Sequence, residues 1–418
     1  MSSLPSSVAY SVGSPSLPPN ARSHEVVVRS SNGLQFQENS TIVFELPNSA
    51  FCDPTSIYIR YKYAFATGAV AGAQLKGTPV YTPIQRLACF AGSTQLESIS
   101  QYGQVANMMV NLTHDVAQKY GVQSSFGYRN DTTLPSLESF DGRFLTADET
   151  GTFAAPLPCV LSNCEKFLPL FALPQLRVEL TLDTIAHMFR SDAAVPTGMV
   201  LSNVELVYKS VDLGAEVEAM VRSSGLTHLK TQSLTNTASV LGAGVQGAIS
   251  LVFNQRLASI KSAFIYCANT TSNTNQQYDA VDITKGNGSY QLVIAGTSYP
   301  QTAYNTALNK NGMLMALKGA TGSIYSKDNN FSINAVEWLR EDGAATTLDA
   351  PGKFIVGIDT EVLDNDYIMS GISSQNSSIT ANIVCNTATT NAHNIHLISS
   401  YDALLEIDFV SGNASLKV

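Results

Sequence analysis

The chain has 418 residues, of which 44% are hydrophobic and only 14% are charged, and its formal net charge is −9. This composition excludes an intrinsically disordered protein, because disorder requires low hydrophobicity and high net charge. It also excludes a general nucleic-acid binder, which needs concentrated Lys and Arg, and the sequence has no apolar run of about 18 residues that would predict a transmembrane helix.

The N-terminal segment, residues 1–23, is expected to be a flexible arm. Ser and Pro dominate it, and its first charged residue is Arg22. The segment lacks the charged start and the apolar centre of a signal peptide. It also differs from the basic arms that bind packaged DNA, so we expect an extended or disordered arm.

A hydrophobic period of two dominates the rest of the chain and predicts half-buried strands. In residues 176–183, for example, Leu, Val, Leu and Leu alternate with Arg, Glu, Thr and Asp. Many short strands separated by Gly, Pro, Asn and Ser are typical of all-β sandwiches. Strands are predicted at residues 41–46, 57–63, 85–91, 95–99, 176–183, 204–209, 249–253, 354–362, 379–384 and 405–409.

Few segments predict helices. Residues 101–120 place apolar side chains at steps of three or four, and Gly121 stands at the stop position. A short helix is predicted at residues 214–222, with Val217, Met220 and Val221 on one side. A third helix is predicted within residues 302–317, although Gly312 weakens it.

The chain has two similar halves. A strand and an Ala-Gly turn at residues 84–92 precede a short strand, a Tyr and a helix, and the same order recurs from residue 289. We expect residues 176–183 and 404–409 to be the corresponding closing strands of the two halves. The repeat predicts tandem sandwiches at residues 24–212 and 231–418, joined by a linker with a short helix at residues 213–230. Extended loops are predicted at residues 67–83, 122–157, 268–288 and 318–352.

The six cysteines are predicted to be reduced thiols, several of them buried in strands. Only Cys159 and Cys164 are close along the chain, and their spacing matches no standard zinc motif. This pattern predicts assembly in a reducing compartment.

We nominate no catalytic, cofactor-binding or metal-ligating residue and no cofactor. Residues 242–247 fit the G-x-G-x-x-G pattern, but a strand follows them instead of a helix, so they predict an inter-strand turn. His393 and His396 would point to opposite faces of a strand and are expected to be ordinary strand or loop histidines.

Two acidic segments and the single tryptophan also have structural interpretations. Asp328 begins a calcium-loop pattern that lacks the required Gly and the final acid, so it predicts a polar loop. Asp364 and Asp366 predict a solvated turn. Trp338 is expected to pack in the core or in an interface.

A series of segments, in order along residues 24–418, carries a resemblance to a known family. The segments are residues 44–47, 51–63, 84–102, 166–182, 370–380 and 401–408. Together they resemble the double jelly-roll major capsid proteins of icosahedral double-stranded DNA viruses. The lineage is that of PRD1 and adenovirus, and the short chain is similar to the virophage or polinton-like type.

The resemblance implies an all-β fold of two tandem eight-stranded jelly-roll β-sandwiches with a few short helices and long loops. It implies a structural protein and no enzyme: a homotrimer with pseudo-sixfold symmetry that tiles an icosahedral virion shell. The implied partners are further copies of the chain, penton proteins, minor capsid or cement proteins, and an inner membrane reached by the arm. No sequence-specific nucleic-acid binding is expected, and assembly would take place in the host cytoplasm or nucleus.

Other function classes make different demands on the sequence. A surface adhesin or carbohydrate-binding β-sandwich protein is the main alternative, and it would require a signal peptide and occupied glycosylation sequons. A glycosidase would need two carboxylates on facing strands. A single jelly-roll capsid protein with a projecting domain would have a basic arm and unequal halves.

Overall fold

The computed structural model describes residues 21–65, 74–128, 143–144, 150–190, 198–270, 278–322, 332–333, 335–344, 352–362 and 369–418. The strands up to residue 212 are β1 Arg22–Arg29, β2 Gln35–Phe36, β3 Thr41–Glu45, β4 Phe51–Phe65, β5 Gln74–Leu75, β6 Ile84–Ala91, β7 Thr94–Ser100, β8 Arg143–Phe144, β9 Thr150–Pro156, β10 Leu168–Pro169, β11 Leu176–Leu182, β12 Phe189–Arg190 and β13 Met199–Asp212.

The later strands are β14 Leu226–Leu241, β15 Gly247–Phe253, β16 Ile260–Asn269, β17 Gly288–Ile294, β18 Thr297–Asn305, β19 Ile355–Asp359, β20 Ile379–Cys385, β21 His393–Asp408 and β22 Asn413–Lys417. The helices are α1 Tyr102–Thr113, α2 Val116–Gly121, α3 Gln123–Phe126, α4 Ile185–Met188, α5 Ala215–Ser223, α6 Lys310–Ala320 and α7 Ala335–Trp338.

The strands up to β13 form a jelly roll. One sheet has the order β1-β13-β4, with β9 and β10 both paired to β4, and the other has the order β3-β11-β6-β7. The eight main strands β1, β3, β4, β6, β7, β9, β11 and β13 therefore alternate between the two sheets in chain order, apart from the hairpin β6–β7, which is the arrangement of a jelly roll. A small sheet of β12, β5 and β8 lies beside this sandwich.

The strands from β14 onwards repeat this topology. Their sheets have the orders β14-β21-β16-β19 and β15-β20-β17-β18. The eight strands β14–β21 take the places of β1, β3, β4, β6, β7, β9, β11 and β13, in the same chain order. The prediction of an all-β chain with two tandem eight-stranded jelly rolls is confirmed.

The alternation of apolar and polar residues builds the core of each sandwich. In β11, Leu176, Val178, Leu180 and Leu182 are buried and the residues between them are half-buried. Strands β17 and β20 have the same pattern in the second jelly roll. Burial of one such leucine side chain contributes roughly 1.5–3 kcal/mol, and the strict alternation fixes which face of each strand turns inward.

The predicted repeat is present, with one correction. The hairpin β6–β7 precedes α1, and the hairpin β17–β18 precedes α6, as the sequence pattern indicated. The prediction that residues 176–183 and residues 404–409 are equivalent strands of the two halves was wrong. Strand β11 corresponds to β20, and β13 corresponds to β21, because each pair occupies the same place in its sheet.

Two predicted helices have different bounds in the structure. The helix predicted at residues 101–120 is divided into α1 and α2, because the Asp115 carboxylate accepts a hydrogen bond from the Gln118 backbone N–H (2.6 Å) and starts a new helix. In residues 302–317, the first part belongs to β18, and α6 begins only after Asn309. The Asn309 side chain accepts a hydrogen bond from the Gly312 N–H and caps α6. Among the described residues, every helix is too short or too polar to cross a bilayer.

Several predicted boundaries also move. Arg22 and Ser23, assigned to the arm, lie in β1, and the first residues of β14 lie in the predicted linker, which contains α5 as expected. The predicted loop at residues 122–157 contains α3 and β9. Residues 1–20, Asp328, Asp364 and Asp366 lie outside the described residues.

Candidate assembly surface

The two jelly rolls meet along a seam between β7 and β14. The Asn236 amide donates a hydrogen bond to the Ser100 carbonyl (3.0 Å), and the Ser100 hydroxyl donates one to the Asn236 carbonyl (3.2 Å). The Thr231 hydroxyl in β14 donates to the carbonyl of Val160, in a turn of the first jelly roll (2.6 Å). Because these groups are buried or partly buried, their hydrogen bonds fix the two sandwiches side by side.

Replacement of Asn236 with alanine is expected to weaken this seam. The variant leaves the Ser100 carbonyl without its side-chain donor, so we expect a loss of about 1–2 kcal/mol of unfolding free energy. Denaturant unfolding measures the loss. Asn382→Ala is the matched control, because the Asn382 side chain accepts a hydrogen bond from the Ser250 hydroxyl in an exposed place away from the seam. Equal losses in both variants would contradict the assignment.

A buried group of two thiols and one carboxylate lies beside the seam. One ligand atom from each of Cys89, Glu97 and Cys159 lies within 4.8 Å of the others, and all three side chains are buried. The Val160 backbone N–H donates to Glu97 Oε2 at 2.8 Å, whereas Glu97 Oε1 has no hydrogen-bond partner among the described residues. No sequence motif indicates this group, because its members lie on β6, on β7 and in the turn after β9.

An apolar groove lies beneath α5, where the chain passes from the first jelly roll to the second. Its volume is about 600 Å³. Val217, Met220 and Val221, predicted to share one side of the helix, all line it. Met220 is 72% exposed and Phe167, at the rim, is 45% exposed. An exposed apolar surface of this kind is typical of contacts that assembly covers.

The residues singled out in the sequence are structural. Residues 242–246 form the turn between β14 and β15, as predicted, and Gly247 begins β15. His393 and His396 are both buried in β21 and have different neighbours: His393 lies 3.4 Å from Asp342, and His396 lies 3.2 Å from Asn236. The buried Trp338 donates to the Ile355 carbonyl at 3.1 Å, which confirms its predicted place in the core.

Comparison with known proteins relates the whole chain to viral structures. No protein-family model and no curated protein matches the sequence. PBCV-1 VP54, fitted into a cryo-EM reconstruction of the virophage Sputnik, matches with a TM-score of 0.64 at 11% identity, over 98% of this chain and 99% of that chain. The Faustovirus major capsid protein has a TM-score of 0.63 at 8% identity, with 96% and 92% of the two chains covered.

The major capsid protein of mavirus gives the same result. It matches with a TM-score of 0.55 at 11% identity, over 99% of this chain and 93% of that chain. At these identities the comparisons show the fold, and they confirm the predicted resemblance to double jelly-roll major capsid proteins at that level. They do not favour the adhesin alternative.

Proposed function

We propose that this chain, whose fold is the double jelly roll found in viral major capsid proteins, is itself a major capsid protein. One observation carries the proposal: a single chain holds two jelly rolls with the same strand order, joined along a buried seam. The likeness to the Faustovirus and mavirus capsid proteins extends over 96% and 99% of the chain. No large part of the chain is therefore left to form a separate functional domain.

The proposed assembly unit is a homotrimer. Two similar sandwiches in each chain would give a trimer six similar wedges, and six wedges can tile a hexagonal lattice in an icosahedral shell. The low charge content, 14% of residues, suits a subunit covered by neighbours on several sides. The apolar groove beneath α5 offers one surface for such contacts.

Further partners and the location belong to the same proposal. Penton and minor capsid or cement proteins would complete the shell. The N-terminal arm, which carries no charge before Arg22, would reach an inner membrane or a minor protein. The net charge of −9 suits a shell that does not bind the genome directly. All six cysteines are free and buried, which supports assembly in a reducing host compartment before incorporation into the virion.

The oligomeric state in solution tests this proposal. Light scattering on a sizing column is expected to give a stable species of three times 44.7 kDa, or larger shells. Electron microscopy of that species should show capsomers with a pseudo-hexagonal outline. A chain that stays monomeric at high concentration and across a range of salt would contradict the trimer.

A further inference from the structure

The thiols and the carboxylate beside the seam come from three separate elements. Cys89 lies in β6 and faces Glu97 across the antiparallel pair β6–β7. The register of this pair shifts after Cys89, so that Leu96 and Glu97, neighbours in β7, are both buried. Such a bulge redirects a side chain that regular alternation would leave on the other face. Here it turns a carboxylate towards two sulfur atoms.

The second cysteine, Cys159, begins a turn beside the hairpin. Its backbone N–H donates a hydrogen bond to the Ser162 hydroxyl at 2.9 Å, and its carbonyl accepts one from the Ser162 N–H at 3.1 Å. These bonds fix the backbone that holds the Cys159 sulfur beside Cys89 and Glu97. Thiolate is the form of cysteine that binds metal ions.

One oxygen of the buried Glu97 carboxylate lacks a hydrogen bond. Oε2 accepts the Val160 N–H, whereas Oε1 has no hydrogen-bond partner among the described residues. A buried carboxylate oxygen without a partner is unfavourable unless the group is protonated or binds a cation. The nearby thiolate would raise the electrostatic cost of a negative charge further, and a cation would remove it.

We infer that Cys89, Glu97 and Cys159 are ligands of one structural zinc ion. Two sulfur atoms and one carboxylate oxygen suit the borderline-soft zinc ion and do not suit magnesium or calcium, which prefer oxygen ligands. Binding would displace the thiol protons. Because all three side chains are buried, the ion would enter while the chain folds. A water molecule would complete the tetrahedral set.

The position of the site suggests what the ion would do. It would join the hairpin β6–β7 to the turn at residues 159–164. Val160 in that turn accepts a hydrogen bond from Thr231 of the second jelly roll. The ion would thereby hold the first jelly roll in the shape that the seam requires. This role does not depend on the proposed capsid function.

Metal content measured on the purified chain tests the inference. The chain is produced in zinc-supplemented medium without a metal-binding tag, and mass spectrometry of the metals is expected to find about one zinc ion per chain. The variants Cys159→Ser and Glu97→Gln should lose most of it. Cys267→Ser is the matched control, because Cys267 is equally buried in β16 away from the group, and it should retain the zinc.

A second measurement covers the case in which the variants fail to fold. The wild-type chain, refolded with Co²⁺ in place of zinc, should show the intense thiolate-to-cobalt absorption of a site with two sulfur ligands. Wild-type protein without stoichiometric zinc and without this absorption would overturn the inference, and Glu97 would then be a protonated acid beside a thiol pair. Retention of zinc by Cys159→Ser and loss of zinc by Cys267→Ser would each overturn it as well.

Discussion

Replacement of Asp282 with alanine is expected to lower the unfolding free energy by about 3–5 kcal/mol, because each buried donor left without an acceptor costs about 1–3 kcal/mol. Asp282 is fully buried after β16. Its Oδ1 accepts hydrogen bonds from the Thr284 N–H (3.0 Å) and the Tyr290 hydroxyl (3.0 Å), and its Oδ2 accepts one from the Gly286 N–H (3.0 Å). The Lys310 ammonium lies 3.4 Å from the same carboxylate.

The loss should come from the groups that Asp282 leaves behind. The Tyr290 hydroxyl and the Thr284 N–H are buried and would keep no acceptor. The matched control is Asp53→Ala, because Asp53 makes the same turn with Thr55, at 3.1 Å to its N–H, in a partly exposed place. We expect roughly 1 kcal/mol or less for the control. Chemical denaturation measures both variants, and similar losses would show that the turn matters and the buried network does not.

The sequence predicts the sheets well because their signal is local. Alternation in residues 176–183 depends only on neighbouring side chains, and β11 ends within one residue of the predicted strand. The apolar spacing places α6 too early, because the capping residue Asn309 determines where the helix begins. A cap acts at a single residue and contributes about 1 kcal/mol, which periodicity does not detect.

Contacts between distant segments lie beyond such local signals. The seam depends on Ser100 meeting Asn236, and the zinc ligands depend on a bulge that turns Glu97 inward. None of these three residues belongs to a sequence motif, and the alternation in a strand predicts that such polar side chains are exposed. The wrong correspondence of residues 404–409 has the same origin: the place of a strand in its sheet is a property of topology, and the alternation is similar in every strand.

Acid is expected to destabilise the chain through His396. This side chain is 1% exposed, and burial lowers its pKa to about 4. In the unfolded chain the pKa is about 6.5. Between these values the unfolded chain binds a proton that the folded chain does not, so stability falls as the pH decreases from 6.5 to 4. His396 is expected to lower the free energy of unfolding by about 3 kcal/mol over this range, at 1.36 kcal/mol for each pH unit.

The hydrogen bonds of His396 explain why the neutral ring is favoured. The Asn236 amide nitrogen donates to Ser100, so its Oδ1 is the acceptor for the His396 Nδ1–H at 3.2 Å. Nε2 has no hydrogen-bond partner in the part of the chain that the structure describes, and protonation would bury an N–H there without an acceptor. Carboxyl groups titrate in the same range, so the measured quantity is the difference in unfolding free energy between wild type and His396→Gln. That difference should be constant between pH 7 and 8 and change by about 3 kcal/mol between pH 6.5 and 4. A difference that stays constant throughout would mean that His396 accepts its proton in the folded state, with Nε2 in contact with water.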